Sequence, residues 1–235
     1  MRTENNPGTF FETSSPGSET GTVCSKIHTT DCADLPREFS YETAFGRNIG
    51  WLTREEQTIL KGKRVAIAGM GGVGGIHLLT LARLGIGAFN IADFDAFDQV
   101  NFNRQVGAGM STIGKPKIEV MADMAADINP DLDLKLFSRG ISRENIDEFL
   151  KDVDLFIDGL DFFAFDAREL AHQRCADLGI PSTTIAPLGM GAALVNFLPG
   201  KTTFEQYFRL KGHSAREKAV RFLVGLSPAF LHQKY

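Results

Sequence analysis

Apolar residues recur in short runs punctuated by glycine, proline and acidic residues along most of the chain. Val65-Ala66-Ile67-Ala68 is such a run, ending in Gly69. His77 to Leu84 then repeats its apolar positions at helical spacing until Gly85 stops it. Ala88-Phe89-Asn90-Ile91-Ala92 is a second strand-like run closed by Asp93. The pattern predicts strand, glycine turn, helix, strand. It continues with a helix from Lys117 to Ile128, ended by Asn129-Pro130, and a strand from Leu132 to Phe137. A short helix from Asn145 to Lys151 precedes a buried strand, Leu155-Phe156-Ile157, and a helix from Ala164 to Leu178 with Gly179 behind it. Pro181 to Ile185 and Ala192 to Phe197 read as further strands, and Ser214 to Phe222 as a basic helix. Upstream, Tyr41 to Leu60 predicts a helical arm, with Thr53 as a cap before Glu55-Glu56. Helices alternating with strands apolar on both faces predict an α/β, Rossmann-like three-layer domain with a mostly parallel sheet.

Residues 1–38 lack this pattern. They are rich in Ser, Thr, Gly, Glu and Asn and cannot bury enough apolar surface to offset their ordering entropy, so a disordered tail is expected there. The predicted division is a tail (1–38), a helical arm (39–62) and one α/β domain (63–235). Leu223 to Tyr235 mixes apolar and turn residues with no obvious closing element, so the natural protein is expected to continue past Tyr235.

Composition narrows the class. With 235 residues, 43% of them hydrophobic, the chain has material for one sizeable core. Its 25 basic and 29 acidic residues leave a formal charge of −4, no general reason to bind nucleic acid or an anionic membrane. Cys24, Cys32 and Cys175 suit neither a disulfide framework nor a four-ligand zinc site, which favours a reducing compartment. The N-terminus lacks a signal-peptide pattern, and no stretch approaches the ~20 apolar residues of a membrane span, so a cytoplasmic location is expected.

Gly69-Met70-Gly71-Gly72-Val73-Gly74 follows a predicted strand and opens a predicted helix. There, glycines permit a tight turn and close approach of backbone to phosphate, and the helix N-terminus offers N–H groups and a positive dipole. Asp93 ends the next strand, about 20 residues on, where an acid accepts ribose hydroxyls. The turn signals a nucleotide without saying which, and an NAD-dependent oxidoreductase would use the same one. No Walker sequence is present. Beyond Asp93 come Asn101-Phe102-Asn103-Arg104-Gln105 and Gly114-Lys115-Pro116-Lys117. A dehydrogenase has no need of these groups. A triphosphate does, since Arg presents a planar fork to phosphate oxygens and Lys a mobile point charge.

With these pieces in order, and the Asp161 to Arg168 segment behind them, the chain resembles the ThiF/MoeB/HesA family, bacterial relatives of ubiquitin-activating enzymes. The resemblance runs from about Phe45 to Leu198. It implies an ATP-binding adenylation domain over 63–235 that adenylates a carboxylate and releases pyrophosphate. The implied acceptor is the C-terminus of a small ubiquitin-like or sulfur-carrier protein, or a peptide, ahead of a tRNA-borne carboxylate. Asp93 would hold the ribose, and Gly69, Gly71, Gly72 and Gly74 the phosphates, with Asn101, Arg104 and Gln105 lining the phosphate site. Lys117 would stabilise the transition state, and Asp161 would hold Mg2+. Arg47 matches an arginine that reaches the ATP of a partner subunit, implying a homodimer with composite sites. The family also contains inactive binding partners.

Plainer readings stand beside these. Lys117 can be a solvated helix residue, Arg47 a surface arginine, Asp158 a strand-end cap, and Arg168 a helix-face partner of Asp166 or Asp161. His77 and His172 read as ordinary helix residues and Cys175 as a core thiol. Three departures from the family pattern stand out: Phe162-Phe163 follows Asp161 where asparagine is usual, a Cys-x-x-Cys zinc pair is absent, and no cysteine follows Pro181 to form a thioester.

Overall fold

The computed structural model describes residues 38–227. Apart from Glu38, the expected tail lies outside the described residues, as do residues 228–235. The described helices are α1 (Tyr41–Phe45), α2 (Arg54–Lys61), α3 (Gly74–Leu84), α4 (Lys117–Ile128), α5 (Ile146–Phe149), α6 (Phe165–Leu178), α7 (Phe204–Phe208) and α8 (Ala215–Leu226). The strands are β1 (Arg64–Ala68), β2 (Ala88–Ala92), β3 (Asp133–Phe137), β4 (Leu155–Asp158), β5 (Ser182–Leu188) and β6 (Gly191–Phe197). They form one sheet in the order β3-β2-β1-β4-β5-β6. The first five run parallel and β6 is antiparallel to β5, giving the expected Rossmann-like architecture.

Strand side chains alternate between two helical layers. Val65 and Ile67 of β1, Phe89 and Ile91 of β2 and Ile157 of β4 meet Leu78 and Leu79 of α3 and Ile118 and Met121 of α4. On the other face Ala66, Ala68, Ala92 and Phe156 meet Phe149 of α5 and Ala171 and Cys175 of α6. Cys175 is a core thiol, pushed up to about 12 by burial. A third cluster, nearly all aromatic, joins Phe165 of α6, Phe197 of β6, Phe204 and Phe208 of α7, and Phe222 and Leu226 of α8.

Two helices, α1 and α2, make up the arm. A 3-10 turn over Gly46–Asn48 follows α1, and Gly50 takes a φ of +114° before Thr53 starts α2 with a capping box to Glu56. This arm packs on the C-terminal end of α3. The Tyr41 hydroxyl donates to the Gly85 carbonyl (2.6 Å), Gln57 Nε2 to Leu84 O (2.9 Å), and Asn48 Nδ2 to the carbonyls of Arg83 and Leu84 (3.2 Å each). The capping thus satisfies carbonyls that a helix end leaves open.

Candidate functional site

The ends of β1, β2, β4 and β5 open on a cavity of about 560 Å³. Its floor is the glycine turn. Gly69 has a φ of +89°, and a Cβ there would lie 2.3 Å from the Gly159 carbonyl; a Cβ on Gly74 would lie 1.7 Å from the Gly69 carbonyl. Backbone packing therefore demands glycine at both positions. Gly71 and Gly72 differ: a Cβ would meet nothing closer than Gln105 Nε2 at 3.7 Å and Arg104 at 3.4 Å respectively. Both line the cavity, so the protein leaves that space to whatever enters it. Behind them α3 begins with no side chain capping its N-terminus.

Asp93, at the end of β2, is buried and ties the turn to the next loop. One carboxylate oxygen accepts from the Met70 N–H (2.6 Å) and the other from the Asp95 N–H (2.7 Å). Each oxygen keeps a lone pair for a hydroxyl donor. Burial raises this carboxyl above its ordinary value, the two N–H donors and Lys117 opposing the shift. Lys117 begins α4 and is not a solvated residue: it is 7% exposed, and its ammonium pairs with Asp95 at 3.0 Å. Arg104 lines the cavity but donates to its own loop, at Val100 O (3.1 Å) and Asn103 Oδ1 (3.0 Å). Gln105 is buried on the same wall, with Oε1 unpartnered among the described residues.

Three named residues do not line the cavity: Gly74 sits beneath the turn against the Gly69 carbonyl, and two others lie farther off. Asn101 does not line the cavity; its Oδ1 accepts from the Asp98 N–H (2.9 Å) and shapes the loop that carries Arg104. Arg47 is exposed in the 3-10 turn next to Asn48, which binds the far end of α3. That helix has 11 residues, so the glycine turn is about 16 Å away at 1.5 Å per residue.

Asp161 is exposed on the cavity wall after β4. The peptides around it are held by Arg168, which pairs with neither Asp166 nor the Asp161 carboxylate as the sequence suggested. Its Nε donates to Asp158 Oδ2 (2.6 Å), while Nη1 reaches Phe162 O (3.1 Å) and Nη2 reaches Leu160 O (2.9 Å) and Asp161 O (3.0 Å). Asp158 does cap the strand end, accepting from the Leu160 N–H (3.1 Å), and it also takes the Thr184 hydroxyl. Burial works to raise Asp158, but the Arg168 guanidinium and His172 outweigh it and hold this carboxyl well below the carboxylate range.

His172 is no ordinary helix residue either. It is buried, stacks on Phe204 with ring centroids 4.3 Å apart, and shares a 2.9 Å hydrogen bond between Nδ1 and Ser182 Oγ. Its Nε2 lies 3.5 Å from Asp158. Burial lowers its affinity for a proton, against the pull of Asp158. Sequence reasoning missed this network; only the Asp161 to Arg168 spacing hinted at it.

The cavity suits MgATP on its own residues. A helix N-terminus, two open glycines, an unpartnered buried amide oxygen, an arginine, a lysine and a free-standing carboxylate converge on it. Among the described residues no group of three or more His, Cys, Asp or Glu side chains could hold a metal ion alone. A metal here would be shared with phosphate, as magnesium prefers.

Known proteins resemble more than half of the chain. It is 38% identical over 125 residues to the probable adenylyltransferase/sulfurtransferase MoeZ of Mycobacterium tuberculosis, covering 53% of this chain and 31% of MoeZ. It is 33% identical over 150 residues to the tRNA threonylcarbamoyladenosine dehydratase of Bacillus subtilis, covering 63% of this chain and 57% of that protein. The chain thus spans about a third to just over half of these relatives. The Escherichia coli tRNA N6-threonylcarbamoyladenosine dehydratase, solved in complex with ATP, superposes with a TM-score of 0.61 at 25% identity, covering 67% of this chain and 64% of that one. Residues 45–226, from α1 to the end of α8, match the ThiF family model, and the chain belongs to that family.

Proposed function

We propose that the cavity binds ATP as its magnesium complex and that the domain transfers the adenylyl group to a carboxylate. One observation carries this reading: the glycine turn at the start of α3, the ribose-competent Asp93, and Arg104, Gln105, Lys117 and Asp161 all line one cavity. Asp93 accepts the ribose hydroxyls through its free lone pairs, and Gly71 and Gly72 let the backbone meet phosphate. Lys117 enters from α4, held by Asp95. Arg104 turns from its own loop to the β- and γ-phosphates. Asp161 would hold magnesium, which supplies charge neutralisation at the phosphate oxygens.

In the reaction an acceptor carboxylate oxygen attacks the α-phosphorus. A C(O)O–P bond forms, the bond from the α-phosphorus to the bridging oxygen breaks, and pyrophosphate leaves with the electron pair. No base is required, because a carboxylate is already ionised near neutral pH. Rate acceleration comes from positioning and from Arg104 and Lys117 facing the developing charge. The acceptor is the C-terminus of a small protein or peptide, ahead of the tRNA-borne carboxylate that the dehydratase relatives' names evoke. The working unit is a homodimer in which Arg47 serves the partner's cavity.

Calorimetric titration with MgATP, and separately with NAD, tests the reading. Saturable MgATP binding weakened by Asp161→Ala supports it. NAD binding without ATP binding replaces it with an oxidoreductase, and silence with both removes the nucleotide site altogether.

A further inference from the structure

A second cavity, of about 740 Å³, runs along α6. Its floor is the stripe Asp166, Glu169, Leu170 and Gln173, spaced i, i+3, i+4 and i+7 on one face of the helix. Arg168 and His172 turn the other way, to Asp158. One wall is the loop 141–143 after β3, and the other is formed by residues 203–205 at the start of α7 with Lys211 beyond them. That second wall is held in place. Phe204 stacks on His172 with ring centroids 4.3 Å apart, and the capping box of Thr203 and Gln206 fixes the turn. Ile141 and Ala167 line both cavities, so the two adjoin there.

The charges in this groove are not equivalent. Glu169 is paired with Lys218 at 2.5 Å, and the Asp166 side chain is fully exposed, 3.7 Å from the same lysine. Glu205 accepts from the Lys211 N–H at 3.1 Å. The side chains of Arg143 and Lys211, on opposite walls, make no hydrogen bond or ion pair among the described residues. Beside them, Ser142 Oγ and Thr203 Oγ1 accept from backbone N–H groups, and each hydroxyl keeps its own hydrogen to donate. Ile141, Ala167, Leu170 and Phe204 supply the apolar part of the lining. The surrounding chain favours an anion as well. Residues 201–221 carry six basic and two acidic side chains, although the formal charge of the whole is −4.

We infer that this groove is a second ligand site, and that it takes a small molecule with one anionic head, a phosphate monoester or a carboxylate, on an apolar body. Arg143 and Lys211 grip the head from the two walls, and the Ser142 and Thr203 hydroxyls donate to it. The body lies on Leu170, against Ile141 and Phe204. Glu169 and Glu205 remain on the lining, so the groove suits one anionic group and repels a chain of them. The inference goes beyond the adenylation reading and does not depend on it.

The test is a titration of the isotope-labelled protein, followed by backbone amide chemical shifts, on the protein alone and again with MgATP. The probes are hexyl phosphate, hexanoate, inorganic phosphate and hexanol. Hexyl phosphate or hexanoate should half-saturate the shifts at about 1 mM or below. The amides that move should be those of residues 141–143, 166–173 and 203–211, with or without MgATP. Whichever of these two probes binds more tightly identifies the head. Inorganic phosphate and hexanol each lack half of the recognised chemistry and should bind at least tenfold more weakly. The double variant Arg143→Ala/Lys211→Ala should weaken binding at least tenfold and keep the melting temperature of the parent. The inference is overturned if hexanol or inorganic phosphate binds as well as the headed probes, or if the double variant binds like the parent. It is equally overturned if the shifts gather at residues 69–74 and vanish with MgATP, or if no probe moves the groove. Failure of MgATP itself to bind would strike the adenylation reading and leave the nucleotide-free titration to decide this one.

Discussion

Arg168 spends every guanidinium nitrogen inside the protein, on one carboxylate and three successive carbonyls. Arg168→Gln leaves Asp158 buried and unpaired, and thermal or urea unfolding should show a loss of about 3–5 kcal/mol. Arg168→Lys keeps the charge but cannot span the fork, so MgATP affinity should fall roughly tenfold while most stability remains. Lys117 acts on the reaction instead: Lys117→Ala should bind MgATP nearly as well and release pyrophosphate about 100- to 1,000-fold more slowly. Unaltered turnover would remove Lys117 from the chemistry. Behind Arg168, His172 has its proton affinity lowered by burial, so between pH 6.5 and its folded value the unfolded chain takes up a proton that the folded chain refuses. Stability therefore falls on acidification from about pH 6.5. Asp158 is shifted down, so its contribution is present above the ordinary carboxylate range and is lost only in stronger acid. His172→Gln should flatten the melting temperature between pH 7 and 5 and keep the later acid transition.

At the scale of elements, the glycine turn separates folding from binding. Gly74→Ala puts a methyl into the Gly69 carbonyl and should cost about 3 kcal/mol or more, or prevent soluble expression. Gly71→Ala meets only ordinary contacts, so its melting temperature should stay within about 2 °C of the parent while MgATP affinity drops at least tenfold. The turn, α3 and Asp93 were legible because apolar runs bounded by glycine and acid leave few other folds. The helix α7 was not. Thr203 and Gln206 form its capping box in plain view, but five residues are too few to register a helical period. The partner of Arg168 was hidden for another reason. Asp158 stands ten residues before it on a strand, and only the packing of α6 on the sheet brings the two together. The role of Asn101 was open to misreading because the same amide that suits phosphate also caps a loop, and Asp98 three residues earlier was its sign. The hairpin of β5 and β6 was legible as two strands, but not its antiparallel closure at Gly189, with φ at +59°, because a glycine in a loop does not by itself set strand direction.

For the whole molecule, the question is whether one chain can complete its own site. Arg47 stands at the end of α3 remote from the glycine turn, so it cannot serve the cavity of its own chain. The loop bearing Arg104 and Gln105 exposes Val100, Phe102, Val106, Met110 and Ile113, an apolar surface suited to a second copy. If two copies pair there and each arm reaches the opposite cavity, Arg47→Ala and Lys117→Ala damage different halves of a shared site. Each variant alone is inactive in both of its sites. A hybrid of the two has one site with intact Lys117 and intact Arg47, and another lacking both. After denaturation and refolding of an equal mixture, half the dimers are hybrids, and pyrophosphate release should return to about a quarter of the parent rate. A site completed within one chain gives no recovery on mixing, and sedimentation as a monomer under assay conditions would exclude the shared site before any mixing is done.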